Sequence, residues 1–68
     1  MRDILEIAIA DEIEARDYYR HAADVAADLH TRQVLMDLSA MEQGHADTLR
    51  KELEEIELQR DLEAGMAD

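Results

Sequence analysis

The chain has 68 residues with no proline, no cysteine and no tryptophan, and it carries a formal charge of -11. Disulfides and thiolate metal sites are therefore excluded, and the lack of a basic face argues against nucleic acid or an anionic membrane as partner. One domain of this size buries too little surface to be robust alone, so a metal held by His, Asp and Glu, or association between chains, must supply the rest.

Ala, Leu, Glu, Arg and Met dominate, which favours helix nearly everywhere and predicts an all-α fold. The opening stretch has an apolar patch from Ile4 to Ala10, but acids interrupt it. It is shorter than the roughly 18 residues that span a bilayer and has no signal-peptide cleavage site. No membrane association is expected, and a cytoplasmic location is the default. On a helical wheel Ile4, Leu5, Ala8, Ile9, Ala15, Tyr19, Ala22, Ala23 and Ala26 share one arc, opposite Arg2, Glu6, Asp17, Arg20 and Asp24. This predicts an amphipathic helix over residues 2–25, with a small-residue face near its end.

A second stripe, Val34, Leu35, Leu38, Met41, Leu49, Leu53 and Ile56, is out of phase with the first and predicts a second helix over residues 29–63. Asp28 is placed to cap it, with the turn in the preceding residues. The pair is expected to form an antiparallel hairpin, a single unit over residues 1–68. The rival reading is one unbroken helix in a long coiled coil, since no Gly or Pro marks the turn. Leu58 and Leu62 fall on another face, where a second subunit or a bend would explain them. Gly65 to Asp68 reads as a fraying tail.

Most acids fit solvated faces. Glu12 does not, because it lies near the centre of the first apolar arc, with Asp11 nearer the edge. A heptad reading of the second helix places Leu35, Leu38, Glu42, His45, Leu49, Glu52 and Ile56 on the seam. Glu42 and His45 thus take successive positions where leucine belongs. An unpaired carboxylate on a buried seam costs several kcal/mol, so something must compensate it. One explanation is a polar residue that sets register between partner helices. For Glu12, Glu42 and His45 together the better reading is a ligand set for a first-row divalent metal, with Fe, Mn and Zn all acceptable. With a turn near residue 26, Glu12 and Glu42 lie at matching depth within about one turn at 1.5 Å per residue. One hairpin cannot enclose a site. A twofold pair makes a four-helix bundle with four carboxylates and two imidazoles, the set found in ferritin-like di-iron proteins. His21 and His30 are expected in solvent, Met36 and Met41 as gap-fillers in the seam, and Glu52 as an exposed edge acid. Gly44 falls on the polar side of the second helix.

The stretches DEIEARDYY and MEQGHADTLRKEL resemble the encapsulated ferritins and, more distantly, the rubrerythrins. Encapsulated ferritins are half-length ferritin-like chains with an acidic-Glu-x-Glu segment before a Trp-Tyr pair and a Glu-x-x-His about 30 residues beyond the ligand Glu. The matching positions are Asp11, Glu12, Glu14, Tyr18 and Tyr19, then Glu42 and His45, and the likeness covers residues 5–55. The resemblance implies that Glu12, Glu42 and His45 are ligands of a di-iron ferroxidase centre, Glu42 bridging both irons. It implies that Tyr19 sits beside the centre and that Asp11 and Glu14 hold a secondary cation on the iron's way in. It further implies a homodimer within a decameric ring of dimers, working inside an encapsulin shell that stores the iron. The sequence departs from the family at Asp11, where Glu is usual, and at Tyr18, where Trp is usual. These 68 residues also do not contain the linker and apolar docking peptide of encapsulated members. A rubrerythrin-like peroxidase and a purely structural helical dimer are the alternative expectations.

Overall fold

A computed structural model describes residues 2–66, which form two helices, α1 (Arg2–Val25) and α2 (Leu29–Met66). They are packed as an antiparallel hairpin, and no strand occurs among the described residues. The reading as one continuous helix is thereby excluded.

The turn is held by polar contacts. Asp28 caps α2: its Oδ2 accepts from the Thr31 backbone N–H at 2.9 Å, and its carbonyl accepts from Arg32 N–H at 3.1 Å. The Thr31 bond favours the ionised carboxyl and holds it below its ordinary value. At the end of α1 the Ala26 N–H closes back on the Ala23 carbonyl at 3.3 Å, and the Arg32 guanidinium donates to the Ala26 carbonyl at 3.3 Å. The chain reverses without Gly or Pro because side chains from α2 satisfy the groups that the turn frees.

Both helices are reinforced from outside. Asp3 sits in the first turn of α1, where a negative charge favours the helix dipole. Side chains four apart join along α2: Gln33 to Asp37, Gln43 to Asp47 and Gln59 to Glu63. α2 continues through Gly65 and Met66, where a tail was expected; Ala67 and Asp68 lie outside the described residues.

The contact between the helices is made by small residues. Ala46 is 0% exposed, Ala23 1% and Ser39 4%, and no large side chain is fully buried among the described residues. Leu5, Ile9, Leu35, Leu38, Leu49 and Leu53 are half-buried around them. The inner stripe of α2 thus runs through residues 35, 39, 42, 46, 49 and 53, alternating steps of four and three, a heptad spacing in a different register from the expected one. This shifts the expected seam: Ala46 and Leu53 take the inner places, His45 moves to the rim, and Glu52 and Ile56 face outward. Met36 and Met41 are also exposed rather than filling the seam.

Arg2 pairs with Glu6 at 3.0 Å and, across the hairpin, with Glu57 at 3.2 Å. The start of α1 is therefore level with Glu57, and the last turns of α2 extend beyond it with Leu58 and Leu62 exposed. The molecule is a narrow rod of 62 × 15 × 11 Å. Ile4, Ile7, Val34, Met36 and Met41 remain exposed on it. Fully burying a side chain of this size contributes about 1.5–3 kcal/mol, so the single hairpin leaves much of its stabilising surface unused.

Candidate metal centre

Midway along the rod, Glu12 from α1 meets Glu42 and His45 from α2. One donor atom from each lies within 4.8 Å of the other two, the only such group of three or more His, Cys, Asp or Glu among the described residues. Glu42 lies on the inner stripe and its side chain is 14% exposed; Glu12 is 28% and His45 53% exposed. The one-turn spacing of Glu42 and His45 points both side chains at the volume that Glu12 enters from the facing helix.

His45 Nδ1 lies 3.4 Å from Glu12 Oε2 and 3.5 Å from Glu42 Oε2. These separations are long for a hydrogen bond to nitrogen. They match donors sharing one cation, since ligands about 2.1 Å from an ion at ordinary coordination angles lie about 3.0–3.4 Å apart. Glu12 Oε2 is also the one buried side-chain oxygen or nitrogen without a hydrogen-bond partner among the described residues. A buried carboxylate oxygen with no donor is costly, and a cation would satisfy it. On donor chemistry, spacing and the orphaned oxygen, the three residues fit a divalent metal of the iron, manganese or zinc kind.

The Glu42 carboxyl is pushed above its ordinary value, first by the close approach of the Glu12 carboxyl, then by burial, then by the Glu12 charge; His45 opposes the shift. The sign of the linkage follows. In the metal-free chain Glu42 holds its proton more tightly when folded than when unfolded, so stability is present below the ordinary carboxyl value of 4.5 and declines as pH rises above it. We expect the unfolding midpoint of the metal-free chain to fall from pH 5 to pH 7, and the fall to be smaller in Glu42→Gln. A wild-type fall no larger than that of the variant, followed by circular dichroism, would contradict the raised Glu42 carboxyl.

An open pocket of about 260 Å³ leads to the group, lined by Glu12, His45, Thr48 and Leu49. Leu49 is expected on the seam from the sequence, whereas nothing there marks Thr48, although both follow His45 by about one turn. The Thr48 hydroxyl donates to the Gly44 carbonyl at 3.0 Å, so its lone pairs remain free to accept. Gly44 is exposed, and a Cβ there would meet nothing within 4 Å.

The other expected site residues lie apart from this group. Tyr19 is half-buried on α1, its ring edge-on to that of exposed Tyr18 at 5.8 Å, and it does not line the pocket. Asp11 and Glu14 are exposed and do not join the three donors; Glu14 is two residues from Glu12 and so leaves the helix on nearly the opposite side. His21, His30 and Glu52 are exposed. Sequence reasoning missed the polar contacts behind the donors. Ser39 Oγ donates to the Arg16 carbonyl at 2.9 Å, and the Arg16 guanidinium donates to Gln43 Oε1 at 2.6 Å and pairs with Asp17 at 2.8 Å.

No described helix is long and apolar enough to cross a membrane. Neither the curated proteins nor the solved structures contain a match to the chain. A family profile described as Rubrerythrin matches residues 3–67, nearly the full length. With all-helical architecture and a carboxylate–histidine group at mid-rod, the chain belongs to the rubrerythrin family, whose ferritin-like members bind di-iron.

Proposed function

We propose that this protein is a ferroxidase of the encapsulated-ferritin kind, oxidising Fe(II) at a di-iron centre formed where two hairpins meet. The observation that carries the reading is the orphaned, buried Glu12 Oε2 held beside Glu42 and His45 at metal-ligand spacing. Glu12, Glu42 and His45 would hold the iron and serve the reaction. Manganese or zinc would compete for the same donors.

The partner is a second copy. On the helical wheel Val34, Leu38, Met41, His45 and Ile56 share one flank of α2, the flank onto which the pocket opens. Ile4, Ala8, Ala15 and Tyr19 share the adjoining flank of α1 beside Glu12. A twofold pair joined by these flanks buries the exposed apolar side chains, closes the pocket and doubles the donors to four carboxylates and two imidazoles. Tyr19 then comes beside the closed centre, and Asp11, at the edge of the pairing flank, and Glu14, further round the helix, would draw cations inward. A ring of such dimers accounts for Leu58 and Leu62 on a further face.

Fe(II) is the substrate. Two ions release one electron each, and dioxygen with two protons leaves as hydrogen peroxide. The carboxylates neutralise the incoming charge and hold the harder Fe(III) more strongly than Fe(II). A pocket of about 260 Å³ stores no mineral, so the product must pass to another compartment, for which the resemblance names an encapsulin shell.

The family match favours a second reading, a peroxidase with the same centre in which peroxide is the preferred oxidant. One stopped-flow experiment separates them. Protein loaded anaerobically with Fe(II) is mixed with dioxygen or with peroxide. The ferroxidase reading expects oxidation by dioxygen well above the buffer rate. Faster turnover with peroxide selects the second reading, and neither rate above buffer removes both.

A further inference from the structure

Ser39 is the one buried polar residue among the described residues, and it lies in the tight contact between the helices. Its position is unfavourable on local grounds. Serine is a poorer helix former than alanine, and alanine already serves at the neighbouring contact, Ala46. A buried serine can also satisfy its hydroxyl on its own helix, at the carbonyl four residues back. Here it does not: the hydroxyl crosses the hairpin to the Arg16 carbonyl at 2.9 Å. That carbonyl lies inside α1 and has the N–H four residues on as its regular partner. Neither helix therefore requires this bond to satisfy its backbone.

The bond does supply a fixed point. Ala23 and Ala46 give close approach, but contacts between methyl groups are non-directional and do not define how far one helix stands along the other. A hydrogen bond of defined length does. It stands next to the metal donors, since Ser39 precedes Glu42 by three residues and Arg16 follows Glu12 by four. The Arg16 guanidinium adds a second tie at the same level, to Gln43 at 2.6 Å. A slip of α2 by one residue would displace Glu42 and His45 by about 1.5 Å, and a slip of one turn by about 5.4 Å. Against separations of 3.4 and 3.5 Å, either slip breaks the donor set.

We propose that Ser39 is a positioning residue of the metal centre, its hydroxyl on the Arg16 carbonyl setting the axial register in which Glu12 meets Glu42 and His45. The inference rests on the metal reading above and adds what holds the donors at their spacing before any ion arrives.

The test titrates Co(II) into the full chain as wild type, Ser39→Ala and Ser39→Thr, recording affinity and the visible Co(II) spectrum, with helicity measured on the same samples. Ser39→Ala is expected to keep wild-type helicity, bind Co(II) about tenfold more weakly and shift the visible bands, the loss typical when a group supporting metal ligands is removed. Ser39→Thr keeps the hydroxyl and is expected to retain wild-type affinity and bands. A purely structural serine would leave the spectrum of folded, loaded protein unmoved. If wild type binds Co(II) and folded Ser39→Ala matches it in affinity and spectrum, this inference falls while the metal reading stands. If wild type binds no Co(II), both fall. Should Ser39→Ala lose helicity, Ser39→Thr decides: wild-type binding supports the inference, and weak binding with an altered spectrum overturns it.

Discussion

Replacing Glu42 and His45 together by leucine is expected to raise the unfolding midpoint of the metal-free chain while reducing Fe(II) oxidation to the rate of buffer. The two effects have one origin. Glu42 is a carboxyl on the inner stripe, beside a second carboxyl whose Oε2 has no donor, and that neighbour and burial push its own carboxyl above its ordinary value. Leucine at position 42 removes that conflict and joins Leu35, Leu38, Leu49 and Leu53 along the same helix. Leucine at 45 extends the apolar flank. For a chain of this size each kcal/mol gained moves the midpoint by roughly 4–8 °C, so the gain is readable by thermal denaturation. The same change leaves Glu12 as the sole remaining donor, too few to hold iron. Were the seam acids present only to set partner choice, oxidation above buffer would be absent from wild type as well, and the variant would differ in pairing alone. A variant that is less stable when metal-free and still oxidises Fe(II) would show that both residues had been misread.

Adding a divalent metal is expected to drive single hairpins into pairs, and chelation or acid to reverse it. An ion promotes pairing only by binding the pair better than the single chain. One hairpin presents two carboxylates and one imidazole at the site; two present twice that, enough for carboxylates to be shared between two ions. If each ion prefers the pair by about tenfold, two tighten pairing by about a hundredfold. The apolar flanks contribute with or without metal, so a weak metal-free pair at high concentration is consistent with this picture. The pH dependence is opposite in sign to that of the metal-free chain. Protons and the cation compete for Glu12 and Glu42, so metal-dependent pairing weakens as pH falls while the metal-free fold gains. Sedimentation velocity across a concentration series, with and without Mn(II), reads the effect. Identical association curves in both would count against a site shared between chains.

The helices were legible from composition, and the turn from Asp28, because capping is a local property of a few residues. The candidate group was legible for a different reason. Glu12 and Glu42 stand where apolar side chains belong, and that contradiction is visible without coordinates. The phase of the seam was not. Large apolar residues carry the periodic signal, and several of them, Val34, Met41 and Ile56 among them, point to the outer flank of the hairpin. The contact itself is carried by Ala23, Ser39 and Ala46, which weigh little in any hydropathy pattern. Hence His45 was assigned a seam place that belongs to Ala46, although its side chain still reaches the group from the rim. The tie from Ser39 to Arg16 was beyond sequence reasoning, because its acceptor is a backbone carbonyl that every residue possesses. The site roles of Asp11, Glu14 and Tyr19 rest on resemblance alone, and a single hairpin gives them no part in the donor group.

The most direct test is a crystal structure grown with Mn(II) or Fe(II) and recorded at the metal's absorption edge. The account predicts anomalous peaks at a contact between two copies of the chain, each ion bound by Glu12, Glu42 and His45, with two ions per pair. A structure in which those three side chains stand in solvent and the anomalous density lies elsewhere would contradict it.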